Sequence, residues 1–134
     1  MNAHARKILV VDDFEIVRRV MRDSLEKVGL TDVDEAEDGP RALQMLKTAD
    51  SSGAPYAMVF CDWNMPGMNG LDVLNECRKH ETLKDMPFIM VTAESEQDAI
   101  VKALQAGATD YVIKPVTPDV LQRKALRLMA RVEY

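Results

Sequence analysis

The chain has 134 residues, close to the length of about one globular domain. Its hydrophobic share of 47% and charged share of 29% are typical of globular proteins, which excludes intrinsic disorder and fibrous repeats. The net charge of −5 argues against a protein that coats nucleic acid or anionic lipid. No apolar run is long enough for a membrane span or a secretory signal. We therefore expect one cytoplasmic domain over residues 1–134, with no membrane insertion and no direct nucleic-acid contact.

The first half of the chain alternates apolar runs of strand length with segments of helical period, which favours an α/β domain with a parallel sheet. Residues 7–12 form the first predicted strand, and Gly29 is placed to end the helix that follows. A weaker strand at 33–36 precedes a second helix that starts at Asp38, and residues 50–55 have the composition of a loop. The predicted buried faces comprise Val17, Val20, Met21, Leu25 and Val28 in the first helix and Ala42, Leu43, Leu46 and Ala49 in the second.

The second half continues the same alternation, which gives five strands and five helices in total. A central strand at 57–62 is followed by a Pro/Gly-rich turn at 65–70, a helix at 71–80 and a fourth strand at 87–92. The next helix begins at a Ser95–Asp98 capping box and ends at Gly107, and a short strand follows at 111–113. Thr117 and Pro118 begin the last helix, whose core-facing residues are Leu121, Ala125 and Leu128.

Polar residues stand where the apolar strands end. In an open α/β sheet, the carboxyl ends of the strands form the edge at which ligands bind. Any one strand-end aspartate has the ordinary alternative role of capping the next helix, but that role does not explain the whole set. The residues concerned are Asp12 and Asp13 at the end of the first strand, Asp62 at the end of the third, Thr92 at the end of the fourth and Lys114 just after the fifth.

Three carboxylates crowded at one edge repel one another, so they need a cation. Because the ligands are oxygens without histidine or cysteine, a hard divalent ion such as Mg²⁺ suits them best. A lysine and a threonine opposite the metal suit the remaining oxygens of a transferring phosphoryl group, and one carboxylate can serve as the nucleophile. The residues therefore predict Mg²⁺-assisted phosphoryl transfer onto an aspartate.

These residues resemble the signature of the response-regulator receiver domain, and the resemblance covers essentially the whole chain. The run DWNMPGMNG at 62–70, together with Asp12-Asp13-Phe14, is especially similar to chemotaxis regulators of the CheY type. The resemblance implies a flavodoxin-like (βα)5 fold, which is a doubly wound parallel sheet with strand order 2-1-3-4-5.

The resemblance also implies a two-component phospho-switch in which Asp62 accepts a phosphoryl group from a histidine kinase. Asp13, Asp62 and the backbone carbonyl of Asn64 would bind Mg²⁺, with Asp12 assisting through water. Lys114 would pair with the phosphoryl oxygens. The domain would thus be a switch rather than an enzyme, with slow release of its own phosphate.

Further residues of the resemblance concern the response to phosphorylation. Thr92 would move toward the phosphate and Tyr111 would rotate inward, although the residues alone favour an ordinary core aromatic at position 111. Asn64 and Glu94 would flank the path of the attacking water and orient it, so release of the phosphate, although slow beside an enzyme's turnover, should still keep the phosphoryl group short-lived. The Lys114-Pro115 peptide bond would be cis.

The output face expected from the fourth helix, fifth strand and fifth helix departs from the chemotaxis pattern. Glu96 and Gln97 stand where CheY-type proteins commonly carry two lysines, which puts binding to a flagellar switch protein in question. Lys124 retains the basic residue expected in the last helix. An acidic side facing a basic side can also pair two phosphorylated copies in a dimer.

Three functions remain open from the sequence. The first is a stand-alone switch, since no output domain follows Tyr134, and the second is the N-terminal receiver module of a larger regulator with a DNA-binding or enzymatic output. The third is a metal-dependent phosphohydrolase of the haloacid-dehalogenase type, which needs an acid two residues after its nucleophile. Phe14 occupies that position after Asp12, so the third reading is the weakest.

Overall fold

Strands and helices alternate along the chain in the computed structural model, which describes residues 6–93 and 97–132. The strands are β1 (Ile8–Val11), β2 (Val33–Ala36), β3 (Met58–Asp62), β4 (Phe88–Thr92) and β5 (Asp110–Ile113). The helices are α1 (Glu15–Glu26), α2 (Gly39–Ser51), α3 (Gly70–Lys79), α4 (Gln97–Gln105) and α5 (Pro118–Val132).

The five strands form one parallel sheet in the order β2-β1-β3-β4-β5. This order confirms the flavodoxin-like fold expected from the resemblance. It places β1 and β3 side by side at the centre of the sheet, where the strand order reverses, and this is the position at which such sheets bind ligands.

Residues Asp50 and Ser51 correct the predicted boundary of the loop at 50–55, because both still belong to α2. The hydroxyl groups of Ser51 and Ser52 donate to the carbonyl of Thr48 at 3.2 Å and 2.7 Å, and the Ser52 N–H also donates to it at 3.0 Å. The bond from the Ser52 N–H is the regular backbone bond of an α-helix, and it continues the helix through Ser51. The composition of the segment favoured a loop, but composition does not show where the backbone ladder stops.

Gly29 terminates α1, as predicted. The last regular helical residue is Glu26, and Gly29 then adopts a left-handed conformation with φ of 86°. The Gly29 N–H donates to the Glu26 carbonyl and the Leu30 N–H donates to the Leu25 carbonyl, both at 3.0 Å, which are the bonds of a Schellman motif. Val20, predicted on the buried face, is 42% exposed. Of the predicted capping box, Ser95 lies outside the described residues, as do Glu94 and Glu96.

The sheet is covered on both faces, and alternate side chains of each central strand enter different cores. One core joins the sheet to α2, α3 and α4, and the other joins it to α1 and α5. With both faces apolar, polar side chains find room chiefly where strands end. Among the described residues, the buried polar side chains are Asp12, Asp62 and Thr92 at strand ends and Ser24 between helices.

Helix α3 begins directly against the end of β3. A Cβ atom at Gly70 would lie 2.4 Å from the carbonyl oxygen of Asp62 and 2.9 Å from the Cα of Trp63, so only glycine fits there. The Gly70 N–H donates to the Trp63 carbonyl at 2.9 Å. Asn69 and Asp72 complete the start of the helix with a reciprocal capping box, their bonds being 2.9 Å and 3.0 Å long.

We expect Gly70→Ala to lower the free energy of unfolding by roughly 2 kcal/mol or more, because the added methyl group meets rigid backbone. Gly53→Ala is the matched control, since Gly53 has φ of 77° with nothing within 4 Å of its Cβ position. That control should cost only the backbone strain of about 1 kcal/mol. Urea unfolding of both variants measures the difference, and an equal loss in the two would contradict the close approach.

Candidate functional site

Three carboxylates meet at the carboxyl ends of two neighbouring strands. Asp12 and Asp13 follow β1 directly, and Asp62 is the last residue of β3. The register pairs Val11 with Cys61, so the next positions along the two strands, Asp12 and Asp62, lie side by side. One oxygen from each of the three carboxylates lies within 4.8 Å of the others. The acids predicted from the strand ends therefore form one cluster, in which Asp12 is 1% and Asp62 is 2% exposed.

Lys114 reaches this cluster from the far side of the sheet. It follows β5, and its Nζ lies 3.1 Å from Oδ2 of Asp12 and 3.1 Å from Oδ1 of Asp62. Its backbone N–H donates to the Thr92 carbonyl at 2.7 Å, and the Lys114-Pro115 peptide bond is cis, as the resemblance implies. One ammonium group thus faces three carboxylates, which leaves a net local charge of about −2.

The pKa values of the two central groups reflect this environment. Burial, followed by repulsion from Asp12, raises the pKa of Asp62, while Lys114 and the backbone N–H of Asn64 act to lower it. Burial alone would lower the pKa of Lys114, but its hydrogen bonds and charge interactions with Asp12 and Asp62 outweigh burial and raise that pKa. Lys114 is therefore a cation at neutral pH, whereas burial and the neighbouring Asp12 disfavour the ionised form of Asp62.

The donor set and its unpaired oxygens fit Mg²⁺. Oδ1 of Asp13 is buried without a hydrogen-bond partner in the described part of the chain, and Oδ1 of Asp62 has only the ion-pair contact to Lys114. Asp12 differs, because its Oδ1 accepts the Phe14 N–H at 2.9 Å and its Oδ2 accepts from Lys114. Asp13 and Asp62 thus retain oxygens for a hard cation, while both oxygens of Asp12 already accept hydrogen bonds.

The remaining predicted site residues lie at or near the same edge of the sheet. Thr92 ends β4, the strand between Asp62 and Lys114, and is 1% exposed. Tyr111 lies on β5 and is half-buried, with the Nζ of Lys124 at 5.3 Å from its ring centroid. Asn64 belongs to the turn after Asp62, and its role as a carbonyl ligand stays a prediction.

Arg18 is a residue of this neighbourhood that sequence reasoning missed. It lies on α1 with 13% of its side chain exposed, and its NH1 donates to the carbonyl oxygen of Asp12 at 2.7 Å. An arginine near the start of an amphipathic helix usually indicates a solvated face, so the residue type did not indicate a contact with the site. The available signal was its spacing, since a residue one turn into α1 can reach back to the chain that enters the helix.

Comparisons with known proteins agree with this geometry. A family model described as the response regulator receiver domain matches residues 8–126. The chain is 44% identical over 126 residues to the chemotaxis protein CheY of Pseudomonas aeruginosa, covering 94% of this chain and 98% of that relative. It is 42% identical over 126 residues to CheY-3 of Vibrio cholerae, covering 94% and 93%. A solved Francisella response-regulator receiver domain superposes with a TM-score of 0.83 at 29% identity, covering 93% of this chain and 97% of that one.

The raised pKa of Asp62 predicts how stability without Mg²⁺ depends on pH. Because the folded pKa lies above the unfolded value, the contribution of Asp62 to stability is present at low pH and lost as pH rises through the folded pKa. Asp62→Asn removes that loss, so the variant should gain stability relative to the wild type from acid to neutral pH. Urea unfolding across this range measures the gain, with the exposed Asp23→Asn as control. A rise in the unfolding free energy of the wild type relative to that of Asp62→Asn as the pH increases would contradict the prediction.

Proposed function

Because the chain belongs to the response regulator receiver domain family, we propose that it acts as a phosphorylation switch with Asp62 as the acceptor. The family consists of signalling switches rather than classical enzymes. The observation that carries the proposal is the buried Asp62 carboxylate, which lies beside Asp12 and Asp13 and 3.1 Å from the Lys114 ammonium. We propose a phosphohistidine of a histidine kinase as the donor.

In the proposed transfer, a carboxylate oxygen of Asp62 forms a bond to phosphorus while the bond from phosphorus to the donor imidazole nitrogen breaks. The imidazole keeps that electron pair and takes up a proton. The Lys114 ammonium, already 3.1 Å from Asp62, is placed to pair with the oxygens of the incoming group. Thr92, the last residue of β4, lies at the same edge of the sheet and is buried. Asp13, Asp62 and the Asn64 carbonyl would hold Mg²⁺, and Asp12 would assist through water. Bound Mg²⁺ supplies further positive charge to the phosphoryl oxygens.

The proposed switch uses Thr92 and Tyr111. The half-buried Tyr111 ring contacts the Lys124 ammonium, which also forms an ion pair with Asp110 at 2.9 Å. An inward rotation of the ring would end the contact with Lys124 and reshape the surface formed by α4, β5 and α5. Movement of Thr92 toward the phosphate would open the space for that rotation. Asn64 and Glu94 are proposed to guide the water that later removes the phosphate.

Apolar side chains beside the site support a protein as the phosphoryl donor. Phe14 is 64% and Ile16 is 77% exposed, and Val20 lies one turn further along α1. With Pro115 and Val116, residues of α1 line a groove of about 210 Å³ that reaches Lys114. Exposed apolar residues grouped at a site rim are typical of protein interaction surfaces. A helix that carries the phosphohistidine would cover this groove and bring its donor to Asp62.

For the output, we propose a chemotaxis partner, on the basis of the relatives named chemotaxis protein CheY. A flagellar switch protein is the first candidate, and we propose that the chain meets it in the cytoplasm. The basic side chains of α5 are partly paired, since Arg123 lies 3.2 Å from Asp119 and Lys124 lies 2.9 Å from Asp110. A phosphorylation-dependent dimer and a receiver module within a larger regulator are the alternatives. Pull-down with the phosphorylated chain, set against Asp62→Asn, distinguishes a flagellar switch protein from a second copy of the chain, and the full-length gene tests the larger regulator.

Incubation with acetyl phosphate and Mg²⁺ should add one phosphoryl group to the wild type and none to Asp62→Asn, because this carboxylate is the nucleophile. Intact-mass spectrometry measures the addition, and peptide mapping locates it. EDTA should abolish labelling of the wild type, while the exposed Asp23→Asn should label normally. Labelling at another residue, or labelling that survives EDTA, would show that the site is wrongly assigned.

The groove predicts a difference between protein and small-molecule donors. The double variant Ile16→Ser, Val20→Ser should slow transfer from a phosphorylated chemotaxis histidine kinase about tenfold, because apolar contact area is lost. Its labelling by acetyl phosphate should stay unchanged. Leu126→Ser, on α5 and 43% exposed in the wild type, is the control for removing a surface apolar group. Equal slowing with both donors would contradict a docking role for the groove.

A further inference from the structure

A chain of charge-assisted hydrogen bonds runs from β2, at the edge of the sheet, to the acidic turn after β1. Arg22 donates to the Val33 carbonyl and, at 2.6 Å, to Oε2 of Glu35. Arg18 donates to Oε1 of Glu35 at 3.0 Å and to the Asp12 carbonyl at 2.7 Å. The Glu35 carboxylate thus holds two arginines, and one of them holds the backbone of the acid pair.

The Asp12 carbonyl lies just past the regular pairing of β1. The ladder between β1 and β2 ends at Val11 opposite Ala36, and the Asp12 N–H still donates to the Ala36 carbonyl at 3.2 Å. Beyond that point Arg18 supplies the donor that another strand residue would otherwise supply. The orientation of this peptide group therefore depends on a side chain from a different element.

The direction of the Asp13 side chain depends on this peptide group. The bond between Asp12 and Asp13 is planar, so fixing the Asp12 carbonyl also fixes the position of the Asp13 N and Cα. Oδ1 of Asp13 is buried and has no hydrogen-bond partner within residues 6–93 and 97–132. Because no hydrogen bond from those residues orients this oxygen, its placement depends strongly on the backbone from which the side chain projects.

We propose that Arg18 is a positioning residue for the metal site and that Glu35 holds Arg18 in place. The inference rests on the proposed binding of Mg²⁺ by Asp13. Arg18 bonds backbone rather than the acidic oxygens, so it acts through geometry. Arginine suits this role because its planar fork bonds a carboxylate and a carbonyl at the same time, whereas the compact ammonium of lysine does not match both.

Geometry and charge predict opposite effects for Arg18→Gln, which makes the proposal testable. A cation beside a metal site repels Mg²⁺, so by charge alone Arg18→Gln would tighten Mg²⁺ binding and Glu35→Gln would weaken it. Positioning predicts that both variants weaken binding, although they change the local charge in opposite directions. Removal of a group that orients a metal ligand typically weakens metal binding by about tenfold or more, and we expect a loss of that size in each.

The experiment titrates the full chain with Mg²⁺ and follows the fluorescence of Trp63, the sole tryptophan, which directly follows Asp62. Arg19→Gln is the matched control, because Arg19 is an exposed neighbour on α1 and its loss changes the charge equally. This control should bind Mg²⁺ as the wild type does or slightly more tightly. Arg18→Lys should fall between the wild type and Arg18→Gln. Repeating the titrations at high salt screens the contribution of charge.

Urea unfolding, with and without Mg²⁺, separates positioning from a role in stability alone. If Arg18 only stabilises the fold, Arg18→Gln lowers the unfolding free energy without Mg²⁺ but leaves the Mg²⁺ affinity of the folded protein unchanged, and the proposal is overturned. Tighter binding by Arg18→Gln also overturns it. A wild type in which neither fluorescence nor unfolding responds to Mg²⁺ would instead overturn the proposed function. Weaker binding in both Arg18→Gln and Glu35→Gln supports the inference.

Discussion

Repulsion among three carboxylates is the constraint on which the rest of this structure depends. The sheet brings Asp12, Asp13 and Asp62 together where little water reaches them, and a single ammonium group, that of Lys114, opposes them. The cluster is therefore least favourable when it is empty and fully ionised. A bound divalent cation would offset that repulsion, and a cation that binds only the folded domain would stabilise the fold.

The scaffold can tolerate this strain because the remainder of the sheet is apolar and closely packed. Each face of the sheet is buried in its own core, and α3 begins so close to β3 that only hydrogen fits between Gly70 and the Asp62 carbonyl. Asp62 is thus attached to rigid backbone on one side, and its carboxylate lies 3.1 Å from the Lys114 ammonium on the other. In the proposed switch, change at the site would therefore be directed toward β4, β5 and the surface that they share with α4 and α5.

Most of the fold was predictable from the sequence, because hydrophobic periodicity is a local property and the strands here are short and apolar. The strand-end positions of Asp12, Asp62 and Lys114 were sufficient to predict one cluster, since parallel strands end at a common edge. Helix ends and tertiary contacts were harder. Helix α2 continues to Ser51 through the backbone bond from Ser52 to Thr48, which the polar composition of the segment did not indicate, and the link from Arg18 to the Asp12 carbonyl depends on how α1 leaves the sheet.

The contact between Arg22 and Val33 has a consequence for association between chains. The carbonyls of Asp32 and Ala36 bond to β1, so by the alternation of a parallel strand the carbonyl of Val33 faces the open edge of the sheet. Such edges invite the addition of a strand from another molecule, which is a common first step in aggregation. Arg22 covers that carbonyl with a charged group held by Glu35, so a second chain must displace an ion pair before it can extend the sheet.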